Sequence, residues 1–204
     1  MPDFPTLDDK ILNPMQWDTF IAIDAAAMGR STRLTGTGNI SISANELGLF
    51  TGATNGSYAE AVWGPATSFK RRITFMLCVC INMITDHIFE FGLGWPWLST
   101  ANTDRTTIEI EDGVIKGKTA DGVNTGRTTL KTLTVAELGI MFTIDHFPGV
   151  KEDFYVDGVL LGTRTANLPR TTYSCDLMCA MVYNKAAANK GIYINPGVIA
   201  RVRR

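Results

Sequence analysis

Apolar and polar residues alternate with a period of two over much of the 204-residue chain, as expected of half-buried β-strands. Residues 154–163, FYVDGVLLGT, show a strand, a turn and a return strand in ten letters. Asp157-Gly158 suits a type I′ turn, in which both central residues need positive φ. That turn sets Val156 opposite Val159, Tyr155 opposite Leu160 and Phe154 opposite Leu161, which makes both faces of the hairpin apolar. Such a ribbon needs cover on each side, so the chain is predicted to be all-β, a two-sheet antiparallel sandwich assembled around it.

A second hairpin is predicted in TTIEIEDGVIKGKT, turning at Asp112-Gly113 with Ile110 opposite Ile115 and Glu109 opposite Lys116. Residues 69–91 suggest two neighbouring strands split near 83–86. In the first, Ile73, Phe75, Leu77, Val79 and Ile81 share one face; in the second, Phe89 and Phe91 enter the core while Glu90 points away. Residues 39–43, 47–52, 128–133, 139–145, 177–183 and 198–202 read as further strands, with Ile140, Phe142 and Ile144 aligned. FIAIDAAA, from Phe20, reads as another. Asn55-Gly56 signals a hairpin, residues 135–138 suit a brief helical turn, and residues 59–66 show no clear period. Pro2, Pro5 and Pro14 make residues 1–18 an extended arm, leaving 19–204 as the sandwich domain. Phe4, Leu7, Ile11, Leu12 and Trp17 give this arm an apolar surface to lay on its own domain or on a partner.

The composition, 45% apolar and 19% charged, fits one folded domain. Nineteen Lys and Arg against 20 Asp and Glu provide no general attraction to nucleic acid or to an anionic membrane. The terminal Arg201-Val202-Arg203-Arg204 reads as the solubilising end of a strand. The start lacks the basic and apolar segments of a secretory signal, and the longest apolar run, residues 75–81, falls far short of the ~20 needed for a membrane span.

Candidate chemistry is sparse. Glu109 and Glu111 share a strand face, and carboxylates roughly 5 Å apart are what retaining glycoside hydrolysis uses. Lys116 and Lys118 oppose them close to a tight turn, and a facing lysine favours the carboxylate over the proton donor. The group therefore reads as a solvated charged face. His87 and His146 lack ligand spacing, as do Cys175 and Cys179, while Cys78 and Cys80 read as small buried hydrophobes. Asp145, Asp153 and Asp157 offer oxygens of the kind calcium takes, but Asp157 already has a turn to make. No catalytic residue, cofactor or metal ligand is assigned, and the chain is expected not to be an enzyme. Trp95 and Trp97, in a turn-rich stretch, can plug the end of the sandwich, anchor an interface or stack on a sugar.

The succession TGATNGS, FGLG, IEIEDGVIKGKT, HFPG, FYVDGVLLGT and NLP resembles the concanavalin A-like (laminin G-like) jelly-roll domain of tailed-phage and related viral structural proteins, over roughly residues 40–202. Its acidic strand departs from the EXDXE pattern of the glucanases on this fold, because Glu109-Ile110-Glu111 runs into Asp112-Gly113. It also offers no match to a legume-lectin metal loop. The resemblance implies a non-enzymatic bacteriophage virion protein, a capsid decoration or head-surface protein assembled in the host cytoplasm. Its expected partners are the major capsid protein or another virion protein, reached through the arm, and further copies of itself as a homo-oligomer. The alternative is a carbohydrate-binding module or tail adhesin that holds a glycan on Trp95 and Trp97. Because one such fold hosts many functions, the fold transfers more securely than the role.

Overall fold

A computed structural model describes residues 31–34, 38–43, 46–94, 103–194 and 199–202. In chain order its strands are β1 (Ser31–Leu34), β2 (Asn39–Ser43), β3 (Glu46–Phe50), β4 (Tyr58–Ser68) and β5 (Ile73–Ile81). Then come β6 (His87–Gly94), β7 (Arg105–Glu111), β8 (Val114–Ala120), β9 (Thr125–Thr132) and β10 (Glu137–Phe147). The last are β11 (Lys151–Val156), β12 (Val159–Arg164), β13 (Ser174–Asn184), β14 (Gly191–Ile194) and β15 (Ile199–Val202). One sheet has seven strands in the order β1-β4-β13-β6-β7-β8-β9; the other has eight, β12-β11-β10-β5-β14-β3-β2 with β15 also on β5. Every pairing among the described residues is antiparallel. The described residues thus form the predicted two-sheet sandwich.

The core lies where the two inner faces meet. Ile73, Phe75, Leu77, Val79 and Ile81 of β5 are buried, as are Ile140, Phe142 and Ile144 of β10, and they face Phe89, Phe91, Ile108, Ile110 and Ile115 of the other sheet. Phe91 and Phe142 meet edge to face across the layers, 5.1 Å between ring centroids, a favoured aromatic geometry. Gly117 on β8 is small for a similar reason. A Cβ there would stand 2.5 Å from the Phe154 ring of β11. Gly117→Ala is therefore expected to cost about 1–3 kcal/mol through overpacking, read as a lower urea midpoint at unchanged slope.

Both Asp-Gly turns form as read. Asp112 and Gly113 have φ of 48° and 77°, and Asp157 and Gly158 have 50° and 78°. Ile110 faces Ile115 and Glu109 faces Lys116. The Asp157-Gly158 hairpin needs a correction beyond its second pair: a bulge sets Gly162, not Leu161, opposite Phe154. Its return strand is also not covered. Val159, Leu160 and Leu161 are 58%, 49% and 38% exposed, and among the described residues β12 ends the sheet order.

Further differences follow from which sheet a strand joins. The strands of residues 69–91 are not sheet neighbours, since β5 and β6 lie in opposite layers. The turn at Asn55-Gly56 likewise carries the chain from β3 in one sheet to β4 in the other, not round a hairpin. Glu137 and Leu138 begin β10, where a helical turn was expected, and β14 is a strand that the sequence reading did not place. The strand expected from Phe20 falls outside the described residues.

Candidate functional site

The outer face of the seven-stranded sheet holds a row of carboxylates. Register strings Glu60, Met181, Glu90, Glu109 and Lys116 across β4, β13, β6, β7 and β8. The next row runs Val62, Cys179, Gly92, Thr107, Lys118 and Arg127. Each acid stands on a strand whose alternate residues enter the core, so alternation turns it outward. Its neighbours then close over it: Glu60, Glu90 and Glu109 are 0%, 1% and 3% exposed, and Lys118 is 1% exposed.

The ionic contacts are close. The Lys118 Nζ donates to Oε2 of Glu90 and to Oε2 of Glu109, 2.7 Å from each. Glu90 Oε1 also accepts from Thr107 at 2.9 Å and pairs with Arg105 Nε at 3.1 Å. Arg127 grips Glu109 with Nε at 2.8 Å and Nη2 at 3.1 Å. Burial on its own would raise the Glu109 pKa, but the hydrogen bond from Arg127 and the Lys118 charge outweigh it and hold the carboxyl at about 2. Glu109 is therefore a permanent carboxylate, suited to charge stabilisation or nucleophilic attack and unsuited to proton donation. At the accessible lip of the face, Lys116 pairs with Glu111 at 2.8 Å, and Lys185 reaches both Glu111 and Asp112. Arg127 is 44% exposed there.

This arrangement corrects the reading of Glu109 and Lys118 as solvated surface. Flanking strands supply long charged chains that seal the pair, and two of the groups involved, Glu90 and Arg127, are far apart in sequence. Glu60, Glu90, Arg105 and Arg127 were not singled out by sequence reasoning. The available signal was a lone acid in an apolar, period-two strand, as in YAEAV and IFEFG. Phe4, Leu7, Ile11, Leu12, Trp17, Trp95 and Trp97 all lie outside the described residues.

Asp145, Asp153 and Asp157 are each engaged. Asp145 accepts from Thr74, Asp153 accepts from Thr163 and pairs with Lys151, and Asp157 accepts from the Met141 backbone N–H. Among the described residues no three metal-ligating side chains cluster. His146 has a partner that its sequence neighbours did not suggest. Between the sheets its Nδ1 lies 2.6 Å from Glu152 Oε1, while Nε2 donates to the Phe69 carbonyl at 2.8 Å.

No protein-family model matches the chain, and no curated protein sequence matches it. Solved structures do. The β-glucanase of Bacillus licheniformis superposes with a TM-score of 0.61 at 12% identity, over 87% of this chain and 96% of that one. A native glycosidic hydrolase gives 0.57 at 13%, over 81% of each chain. The alginate lyase from Corynebacterium sp. gives 0.54 at 12%, over 80% of each. These likenesses establish the concanavalin A-like jelly-roll fold, without a tie to phage proteins in particular. They also overturn the expectation of a non-enzyme: similar structures are enzymes named for glycans, so the fold is one on which glycan chemistry is carried out.

Proposed function

We propose that this protein handles a glycan, taking a saccharide chain along the lip of the charged outer face of the seven-stranded sheet. The observation that carries this reading is the Arg127 guanidinium, clamped by two nitrogens on buried Glu109 yet 44% exposed. A donor already fixed by a buried acceptor loses little freedom on binding, which favours directed contacts to sugar hydroxyls. Lys116 and Glu111 beside it extend the polar lip. Arg127→Ala is expected to weaken binding to immobilised polysaccharide about tenfold, the loss of one charged hydrogen-bonding group. Undiminished binding would remove Arg127 from the site.

A catalytic form of this reading draws on one further observation, the in-register opposition of Glu90 and Glu109. Adjacent strands bring such carboxyls about 5 Å apart, the spacing of retaining hydrolysis. Release of new reducing ends from a polysaccharide panel, lost in Glu109→Gln, tests it. The resemblance of FYVDGVLLGT and its companions to virion domains supports a place on a phage particle, docked to a capsid protein and self-associated. Mass spectrometry of purified particles tests that placement.

A further inference from the structure

We infer a second saccharide subsite at one end of the sandwich, in the loop that follows β12, suited to a neutral hexose unit. It rests on the glycan reading for the class of ligand, but its position is independent of the charged sheet face. An open pocket of about 480 Å³ is lined there by Thr165, Asn167, Leu168, Arg170, Thr171 and Thr172, among others, a volume within the usual range for small-ligand sites.

The loop is pinned from beneath. The Arg170 backbone N–H donates to Asp104 Oδ1 at 2.6 Å, and its guanidinium grips the same carboxylate through Nε at 3.0 Å and Nη2 at 2.6 Å. Tyr173 N–H donates to the Arg170 carbonyl, and Phe69 N–H donates to the Tyr173 carbonyl, both at 3.1 Å. Ser68 Oγ reaches the Thr171 carbonyl at 3.4 Å. The backbone is thus held in place, while the side chains of Thr165, Asn167, Thr171 and Thr172 make no hydrogen bond to the protein among the described residues. Asn167 is set in the left-handed region at φ 54°, a conformation that its short polar side chain tolerates.

The chemistry of these groups selects the ligand. Threonine hydroxyls and an asparagine amide both donate and accept, as sugar hydroxyls do. Beside the lining, the Arg170 guanidinium stacks over the Tyr173 ring, 3.9 Å from its centroid, which holds that wall of the pocket in place. The Arg170 charge is already matched by Asp104, which is 5% exposed, so the pocket lacks the uncompensated cation that a uronate carboxylate would need.

The test is amide chemical-shift mapping of the full chain, titrated with cellotetraose, laminaritetraose and a hexuronate tetramer. Shifts at residues 165–173 with a neutral tetrasaccharide are expected. They should weaken about tenfold in affinity in Asn167→Gly, which keeps the backbone angle, and in Thr171→Ala. Arg127→Ala should leave them unchanged. Shifts confined to the sheet face would overturn this subsite and leave the glycan reading standing, whereas no shift with any of the three sugars would overturn both. Tighter binding of the hexuronate would overturn the neutral class.

Discussion

Replacing Lys118 with methionine is expected to lower stability by about 3–5 kcal/mol, because it withdraws the cation shared by two buried carboxylates. The Nζ lies 2.7 Å from both Glu90 and Glu109, and all three side chains are buried. Methionine retains most of the aliphatic stem, so the loss is chiefly that of the ammonium. Glu90 would keep Arg105, and Glu109 would keep Arg127, but the two acids would face each other across one strand gap with nothing between them. For a domain of this size the change corresponds to a fall of roughly 10 °C in Tm. Pairing it with Glu109→Gln should cost less than the two single changes together, because the amide removes the repulsion that the lysine had screened. Unfolding of Lys118→Met within about 0.5 kcal/mol of the parent, the range of an ordinary surface substitution, would show that the lattice is not stabilised through this residue.

The lattice also marks how far the residues could be read unaided. Period-two alternation and two Asp-Gly turns were enough for the sandwich, because each is settled within about ten residues. The facing of Glu109 and Lys116 belongs to that local class and was found. What seals Glu109 does not: Arg127 comes from β9 on the far side of β8, and Glu90 from β6, the neighbour on its other side. Strand order across a sheet is set by long-range pairing, which alternation within one strand does not encode. The same limit explains β5 and β6. Each was placed in residue number and inward face, yet which layer each would join depended on partners about 60 to 90 residues further on, β10 for one and β13 for the other. The exposed return strand β12 is a related case. Its apolar residues implied cover, but among the described residues this strand stands at the end of the order, with a neighbour on one side only.

Stability is expected to fall as the pH rises from about 4.5 through about 7, owing to the buried pair of His146 and Glu152. Both side chains are fully buried. The Phe69 carbonyl can only accept, so Nε2 carries a hydrogen, and the 2.6 Å contact between Nδ1 and Glu152 Oε1 then needs one more proton between them. Burial drives the Glu152 carboxyl up to about 7, against the opposing pull of the imidazole. For His146 burial acts downward, but the hydrogen bond and charge of Glu152 outweigh it and raise its pKa above the usual 6.5. Both groups therefore hold protons more tightly in the folded protein than in the unfolded chain. For a group with a raised pKa, the stabilisation is complete below its unfolded value and is lost as pH rises through its folded value. The Glu152 share is complete below about 4.5 and is lost through about 7; the His146 share is complete below about 6.5 and is lost through its own raised pKa. A rise of this size in one carboxyl corresponds to roughly 3 kcal/mol. Glu109 acts in the opposite sense, since its depressed pKa makes its share fade as pH falls from about 4.5 through about 2. The two trends run in opposite senses, one on each side of about pH 4.5. In Glu152→Gln the amide can donate to a neutral Nδ1 without titrating, so the alkaline decline in the urea midpoint should flatten while the acid decline persists. An unchanged alkaline slope in that variant would assign the effect to other groups.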